Sequence, residues 1–492
     1  MALTRPGQGS RLVDETRKKT AKTKNGAVTN STSLNNVLDM FFLAGASRTM
    51  SEKDIINVFI KAYGEDRNLA LKCLFHARDI RGGAGERRFF RICWNYLVKT
   101  YPEQVVHLSK EISEYGRWDD AFFNVLVAHY SMRAIQEGIS QKNGLLAKWL
   151  PRKGEVARFI REGLKMTPKS YRKTIVALSN TVEQQMCANQ WQRINYEHIP
   201  SVAMNKYRKA FYRNDETRFR TYIESVTKGS AKINASAIFP HTLVQAIYAG
   251  GNRQAIQAQW DALPNYMEGS TERILPICDT SGSMSASSAN NGLPMDVSLA
   301  LGVYISERNE GIFRNAFMTF SATPEMHYVT GSLYDRLNQI RRANAGFNTN
   351  LVAAFSLILN RAVQAKISQN EMPTKILIIS DMEFDGSNGY QGHMQRGASQ
   401  AFLTNYETIK ASYTKAGYKI PELVFWNVNG RKDNVPATKS DRVGLVSGFS
   451  PSILKSILAG KIYSPVELML KTIDVPRYSN IKAKVLSKKL SY

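Results

Sequence analysis

The segment "RILPICDTSGSMSA", residues 273–286, ends an apolar run on Asp279 and then alternates hydroxyls at Ser281 and Ser283. Alternate residues of an extended chain share a face, so one carboxylate and two hydroxyls can point into one pocket. These hard oxygen donors suit Mg²⁺ first, with Mn²⁺ or Ca²⁺ as alternatives, and not a soft metal. Three oxygens do not complete a coordination sphere, so other strand ends should contribute. Thr349 in "GFNTNL" stands just before a helical pattern, and Asp381 ends the run "KILIIS", with Asp385 four residues on. Asp279, Ser281, Ser283, Thr349 and Asp381 form the candidate metal set. The competing reading is a strand-end turn in which Asp279 caps the next segment.

A second set could meet a polyanion. Lys148, Arg152, Lys153, Lys169, Arg172, Lys173, Lys206, Arg208, Lys209 and Arg213 are interleaved with Trp149, Trp191 and Tyr207. Cations of this kind contact backbone phosphates, and rings, Trp191 in particular, can stack on bases. The alternative buries the rings in a core and leaves the cations solvated.

The chain has 492 residues and a formal net charge of +25. Residues 1–270 carry +17, residues 271–470 carry +3, and the tail from Lys471 carries +5. This balance favours nucleic acid as partner first and an anionic membrane second. No apolar stretch approaches a membrane span, and the first residues lack the apolar core of a secretion signal. A soluble, cytoplasmic protein is therefore expected, with no membrane partner. Cys73, Cys93, Cys187 and Cys278 stand singly without a CxxC pair, which predicts small buried residues in a reducing compartment.

The elements that must position both sets follow from periodicity. Residues 1–30 read as a disordered basic arm. Residues 31–268 show apolar residues at three- and four-residue spacing, divided by the turns "YGED", "RGGAGE" and "YGRWDD", which predicts a helical bundle or HEAT-like solenoid. Residues 269–480 alternate short apolar runs with helical patterns, which predicts a doubly wound α/β domain. Residues 481–492 read as a basic tail. The fold class is α + α/β, and in its second half ligands should bind beyond the carboxyl ends of the strands.

Several enzyme readings fall away. "CDTSG" has a serine where an aspartic protease has glycine. A dehalogenase-type phosphatase needs aspartate where Ser281 stands, and no phosphate-loop motif occurs. Asp279 and Asp381 could hold a hydrolytic metal pair, but no histidine or lysine lies near them in sequence. "RGGAGERR" reads as a tight interhelical turn before it reads as a phosphate site. The expectation is a protein that is not an enzyme.

Asp-x-Ser-x-Ser after the first strand, threonine in a second loop and aspartate in a third resemble the metal-ion-dependent adhesion site of von Willebrand factor A domains. That resemblance implies that Ser281, Ser283 and Thr349 ligate the metal. It implies that Asp279 and Asp381 bind directly or through water, and that one position stays open for a partner's carboxylate. More widely, "HARDIRGGAGERRFFR", "YGRWDD", "LLAKWLPRKG", "CDTSGSM", "SDMEFD" and "FWNVNG" resemble a family of plant and viral or phage proteins. Those proteins join a helical TROVE-like half to a von Willebrand A half and are distant relatives of the Ro autoantigen, which binds small and misfolded RNAs. The resemblance implies an RNA-binding protein contacting single-stranded or structured small RNA. It also leaves open an interaction subunit or co-chaperone, for instance of an AAA+ ATPase, gripping an acidic partner. Two departures stand out: Thr349 has no acidic neighbour, and Met382 follows Asp381 where the family has glycine.

Overall fold

The computed structural model describes residues 20–285, 294–320, 324–341, 351–384, 405–439 and 441–484. A helical first half is followed by a mixed sheet with helices.

Helices Asn36–Ala44, Glu52–Glu65, Arg67–Arg78 and Arg87–Thr100 pack on one another around Phe42, Phe59, Phe75 and Phe90. Their boundaries follow local chemistry. Ser51 accepts the amide of Asp54 and starts the second helix. Asp66 ends that helix and caps the third by accepting the Leu69 amide at 2.9 Å. The "RGGAGE" turn is wound so tightly that a Cβ on Gly83 would lie 2.0 Å from the His76 carbonyl oxygen. The amides of Gly83, Ala84 and Gly85 already donate to carbonyls of His76 and Asp79, which favours the turn reading over a phosphate site. Helices Ser201–Asn214, Glu216–Thr227 and Arg253–Asp261 gather round a separate small core that includes Tyr196, Phe211, Phe219 and Ile223.

The sheet is built from β3 (Ile274–Asp279), β4 (Ala316–Phe320), β5 (Glu325–Tyr328), β6 (Lys375–Ser380), β7 (Glu422–Asn427) and β8 (Val443–Ser447), after the short β1 (Thr20–Lys22) and β2 (Val28–Asn30). The spatial order is β5-β4-β3-β6-β7-β8, parallel except for the β4–β5 pair. β3 and β6 are buried along their whole length, which explains unbroken apolar runs instead of alternation. From β3 the chain moves outward to β4 and then crosses to β6 on the other side. The order therefore reverses between β3 and β6, where such sheets open a crevice at the carboxyl ends.

The two halves are not separate bodies. One hydrophobic core runs from Val37 through Tyr171 and on to Ile481. Ser447 at the end of β8 donates to the Phe41 carbonyl at 3.0 Å and accepts the Gly45 amide at 3.0 Å. A Cβ on Gly45 would lie 2.6 Å from the Ser447 carbonyl oxygen, so glycine permits this approach.

Both expected loose ends are corrected over their described parts; residues 1–19 and 485–492 lie outside the described residues. The arm 1–30 is ordered from Thr20, where β1 and β2 form an antiparallel hairpin. Thr23 donates to the Phe384 carbonyl at 2.6 Å, and Asn30 exchanges backbone bonds with Val435. Polar side chains thus find partners in the sheet half that no local pattern reveals. The basic tail 481–492 is docked over its described part. Ile481 is buried, and Gln104 of the helical half bonds the Lys482 carbonyl at 3.0 Å and accepts the Lys484 amide at 2.6 Å. Cys187 is exposed, against expectation, while Cys73, Cys93 and Cys278 are buried.

Candidate functional site

β3 ends on Asp279, one residue past its last pair with β6, Cys278 with Ile379, and β6 ends on Ser380. The Ser380 hydroxyl donates to Asp279 Oδ2 at 2.6 Å, and Asp279 Oδ1 accepts the Ser281 amide at 2.9 Å. This folds the loop so that the Ser281 and Ser283 hydroxyls lie 3.1 Å apart. Asp381 follows on the neighbouring strand end, its Oδ1 accepting the Glu383 amide at 3.2 Å. The structure therefore brings Asp279, Ser281, Ser283 and Asp381 together at the sheet's switch point. Thr349 and Asp385 lie outside the described residues.

Both carboxylates of the site are buried. Asp279 is 0% exposed and Asp381 1%. Burial, and next the Asp381 charge, raises the Asp279 pKa; burial likewise raises that of Asp381. Asp381 Oδ2 is buried and has no hydrogen-bond partner among the described residues. Arg431, four residues beyond the end of β7, stands with Nη2 3.7 Å from it and Nη1 3.4 Å from Glu383 Oε1. Among the described residues no three His, Cys, Asp or Glu side chains form a metal-holding group. The assembled donors are instead two carboxylates and two hydroxyls, and the orphaned Oδ2 makes the set suitable for a hard divalent cation.

Met382 takes φ +64°, the left-handed region that favours glycine. Its side chain is buried, and Asn434 holds its carbonyl at 2.9 Å, so packing offsets a conformational cost of about 1–2 kcal/mol. Sequence reading missed Ser380, Glu383 and Arg431. Ser380 was signalled by its place just before Asp381, and Arg431 by the strand-end rule applied to β7.

The polyanion candidates divide. Arg152, Lys153, Lys169, Arg172 and Lys173 are exposed, and none has an acidic partner within 4.0 Å among the described residues. Lys206, Lys209 and Arg213 are exposed at helical spacing on Ser201–Asn214. Arg208 is a correction: only 7% exposed, it lies in the stripe of Ser201, Met204 and Phe211 and bonds Asn205. Burial lowers its pKa. Lys148 is half-buried with its Nζ 4.0 Å from Glu183. Trp191 is half-buried against the small core, its Nε1 donating to Asn189 at 2.7 Å, which makes it part of the packing and not an open stacking platform.

Residues 273–485 match a family described as a domain of unknown function (DUF7788), and residues 23–121 and 130–272 match a second, DUF2828. A protein of Acanthamoeba polyphaga mimivirus, described as uncharacterized, is 27% identical over 515 residues, covering 92% of this chain and 87% of the relative. The crystal structure of the Deinococcus radiodurans Ro (RSR) protein aligns over 89% of this chain and 99% of its own at 14% identity, with a TM-score of 0.36. At that score the likeness carries no argument.

Proposed function

We propose that this chain binds RNA through its helical half and holds a divalent cation, Mg²⁺ first, at the carboxyl ends of β3 and β6. The observation that carries the RNA reading is the exposed row Lys206, Lys209 and Arg213, set in a half of net charge +17 beside a sheet half of nearly balanced charge. The spacing lets several cations reach one phosphate backbone. The sequence resemblance to TROVE-like proteins points the same way. The cation reading rests on the paired buried carboxylates and on Asp381 Oδ2, which accepts no hydrogen bond among the described residues. In it Asp279, Ser281, Ser283, Thr349 and Asp381 hold the ion, which supplies an open position for a partner's carboxylate, and the protein performs no catalysis.

The test is titration of single-stranded RNA at several salt concentrations with the wild-type chain and with Lys206→Ala/Lys209→Ala/Arg213→Ala. Weaker binding with a flatter salt slope is expected. A folded variant with wild-type affinity and slope would instead support a non-enzymatic interaction subunit that grips an acidic residue of an AAA+ ATPase or similar partner.

A further inference from the structure

Three sequence motifs, two of them unused by the RNA and metal readings, meet in space. "GERRFFR" supplies Arg87 and Arg91, "YGRWDD" supplies Arg117, Asp119 and Asp120, and "LLAKWLP" supplies Trp149. All three guanidiniums converge on one atom, Asp119 Oδ2: Arg91 Nη2 at 2.9 Å, Arg87 Nη1 at 3.9 Å, and Arg117 in direct contact. Asp120, fully buried, is already taken by Arg78 at 2.6 Å and Arg91 at 2.7 Å.

Four arginines therefore face two carboxylates, an excess of two positive charges. Asp119 is engaged by both ends of Arg117, through Nε at 2.9 Å and through Nη2. Among the described residues Arg87 is left with only the 3.9 Å approach. Arg91 Nη2 is buried without a hydrogen-bond partner, its approach to Asp119 lacking hydrogen-bond geometry. Burial, then Arg117 and Arg91, lowers the Arg87 pKa, as expected where cations outnumber anions.

Arg87 stands beside two other guanidiniums without a carboxylate in hydrogen-bond contact among the described residues. The planes are also held in place. The Arg117 Cζ lies 4.0 Å from the Trp149 ring centroid, and the Arg91 Cζ lies 5.1 Å from that of Phe123. Fixed forks of this kind recognise oxyanions through paired, charge-assisted hydrogen bonds. The side chains of Arg87, Arg91 and Arg117 are 47%, 25% and 32% exposed, with Arg91 Nη2 itself buried, so a ligand meets Arg87 most directly. A phosphate monoester dianion matches the excess of two charges, whereas an internal phosphodiester supplies one.

We propose that Arg87, Arg91 and Arg117 form a binding site for a phosphate monoester, carried by a free nucleotide or by the 5′ end of an RNA strand. Only the RNA-end form rests on the RNA-binding reading above.

The test uses the full chain and Arg87→Gln, which removes the outermost guanidinium and leaves the Asp120 pairs intact. Melting temperature is followed with inorganic phosphate, AMP and sodium chloride at equal ionic strength. Affinity is measured for one RNA sequence bearing either a 5′-phosphate or a 5′-hydroxyl. Phosphate and AMP should stabilise the wild-type chain beyond chloride, and Arg87→Gln should lose that increment. If the source is an RNA end, the 5′-phosphorylated strand should bind about tenfold tighter than its 5′-hydroxyl twin in the wild-type chain only. Equal affinities, with the AMP increment still lost in Arg87→Gln, assign the site to a free nucleotide. No increment over chloride in the wild-type chain, or an increment unchanged in Arg87→Gln, overturns the proposal. RNA binding failing altogether while the AMP increment persists would count against the RNA reading and not against this site.

Discussion

Arg477 clasps Asp79 with two nitrogens, Nη2 to Oδ1 at 2.8 Å and Nε to Oδ2, across 398 positions of sequence. Tyr478 adds its hydroxyl to the same carboxylate at 2.9 Å and lies against His76. Arg477→Ala would leave Asp79, whose side chain is fully buried, short of its main partner. The expected loss is about 2–3 kcal/mol, below the about 3–5 of a wholly buried pair because Arg477 is partly exposed. Urea unfolding measures it, and a midpoint unchanged from wild type would show that the clasp is decorative.

For the cation site, Asp279→Asn and Ser281→Ala should each abolish stabilisation by Mg²⁺ or Mn²⁺. A ligand present at a hundred times its dissociation constant raises native stability by about 2.7 kcal/mol. Differential scanning calorimetry with and without the ion reads this directly. A metal-induced shift that survives in both variants removes these residues from the site.

The exposed row and the buried arginine on one helix should behave oppositely. Lys206→Ala/Lys209→Ala/Arg213→Ala should flatten the slope of log K against log salt by about two, at about 0.7 per single-strand contact, with stability unchanged. Arg208→Ala should lower stability and leave the slope alone. Measuring stability and RNA titrations on the same preparations separates the two effects.

Two buried histidines make stability fall on the acid side. Burial lowers the pKa of His76 to about 4 and of His241 to about 3. The unfolded chain, with an ordinary histidine near 6.5, then binds more protons than the native state at intermediate pH. Stability is thus full above about pH 6.5 and declines below it by up to about 1.4 kcal/mol per pH unit for each histidine. The decline continues to pH about 4 for His76 and about 3 for His241. His241, whose Nδ1 has no hydrogen-bond partner, is the cleaner probe. His241→Leu should shallow the acid limb, and an identical limb would exclude it as the source.

The strand-end chemistry was legible because period-two spacing and apolar runs are local. Asp279, Ser281 and Ser283 share a loop, and Asp381 ends the next strand over. Arg208 was misplaced although its signal was present. Positions 201, 204, 208 and 211 repeat at helical spacing and form the buried stripe, but a cation there was read by type before position. The hairpin of residues 20–30 was illegible for another reason. Its strands are three residues each, its apolar content is low, and its partners lie some 360–405 positions away, as in Thr23 with Phe384 and Asn30 with Val435. Met382 shows a third limit. A residue type names the conformation it prefers, not the one its neighbours impose.

The crossed attachment of the two chain ends has a consequence during synthesis. The hairpin is made long before its docking sites at Phe384 and Val435, and the helical half waits for Arg477 and Tyr478 to close over Asp79. Contacts of such long separation make folding slow and late. The helical half must stay soluble as an unfinished intermediate until Arg477 and Tyr478 are made. A premature stop or a cut into halves should therefore yield sticky fragments instead of two working modules.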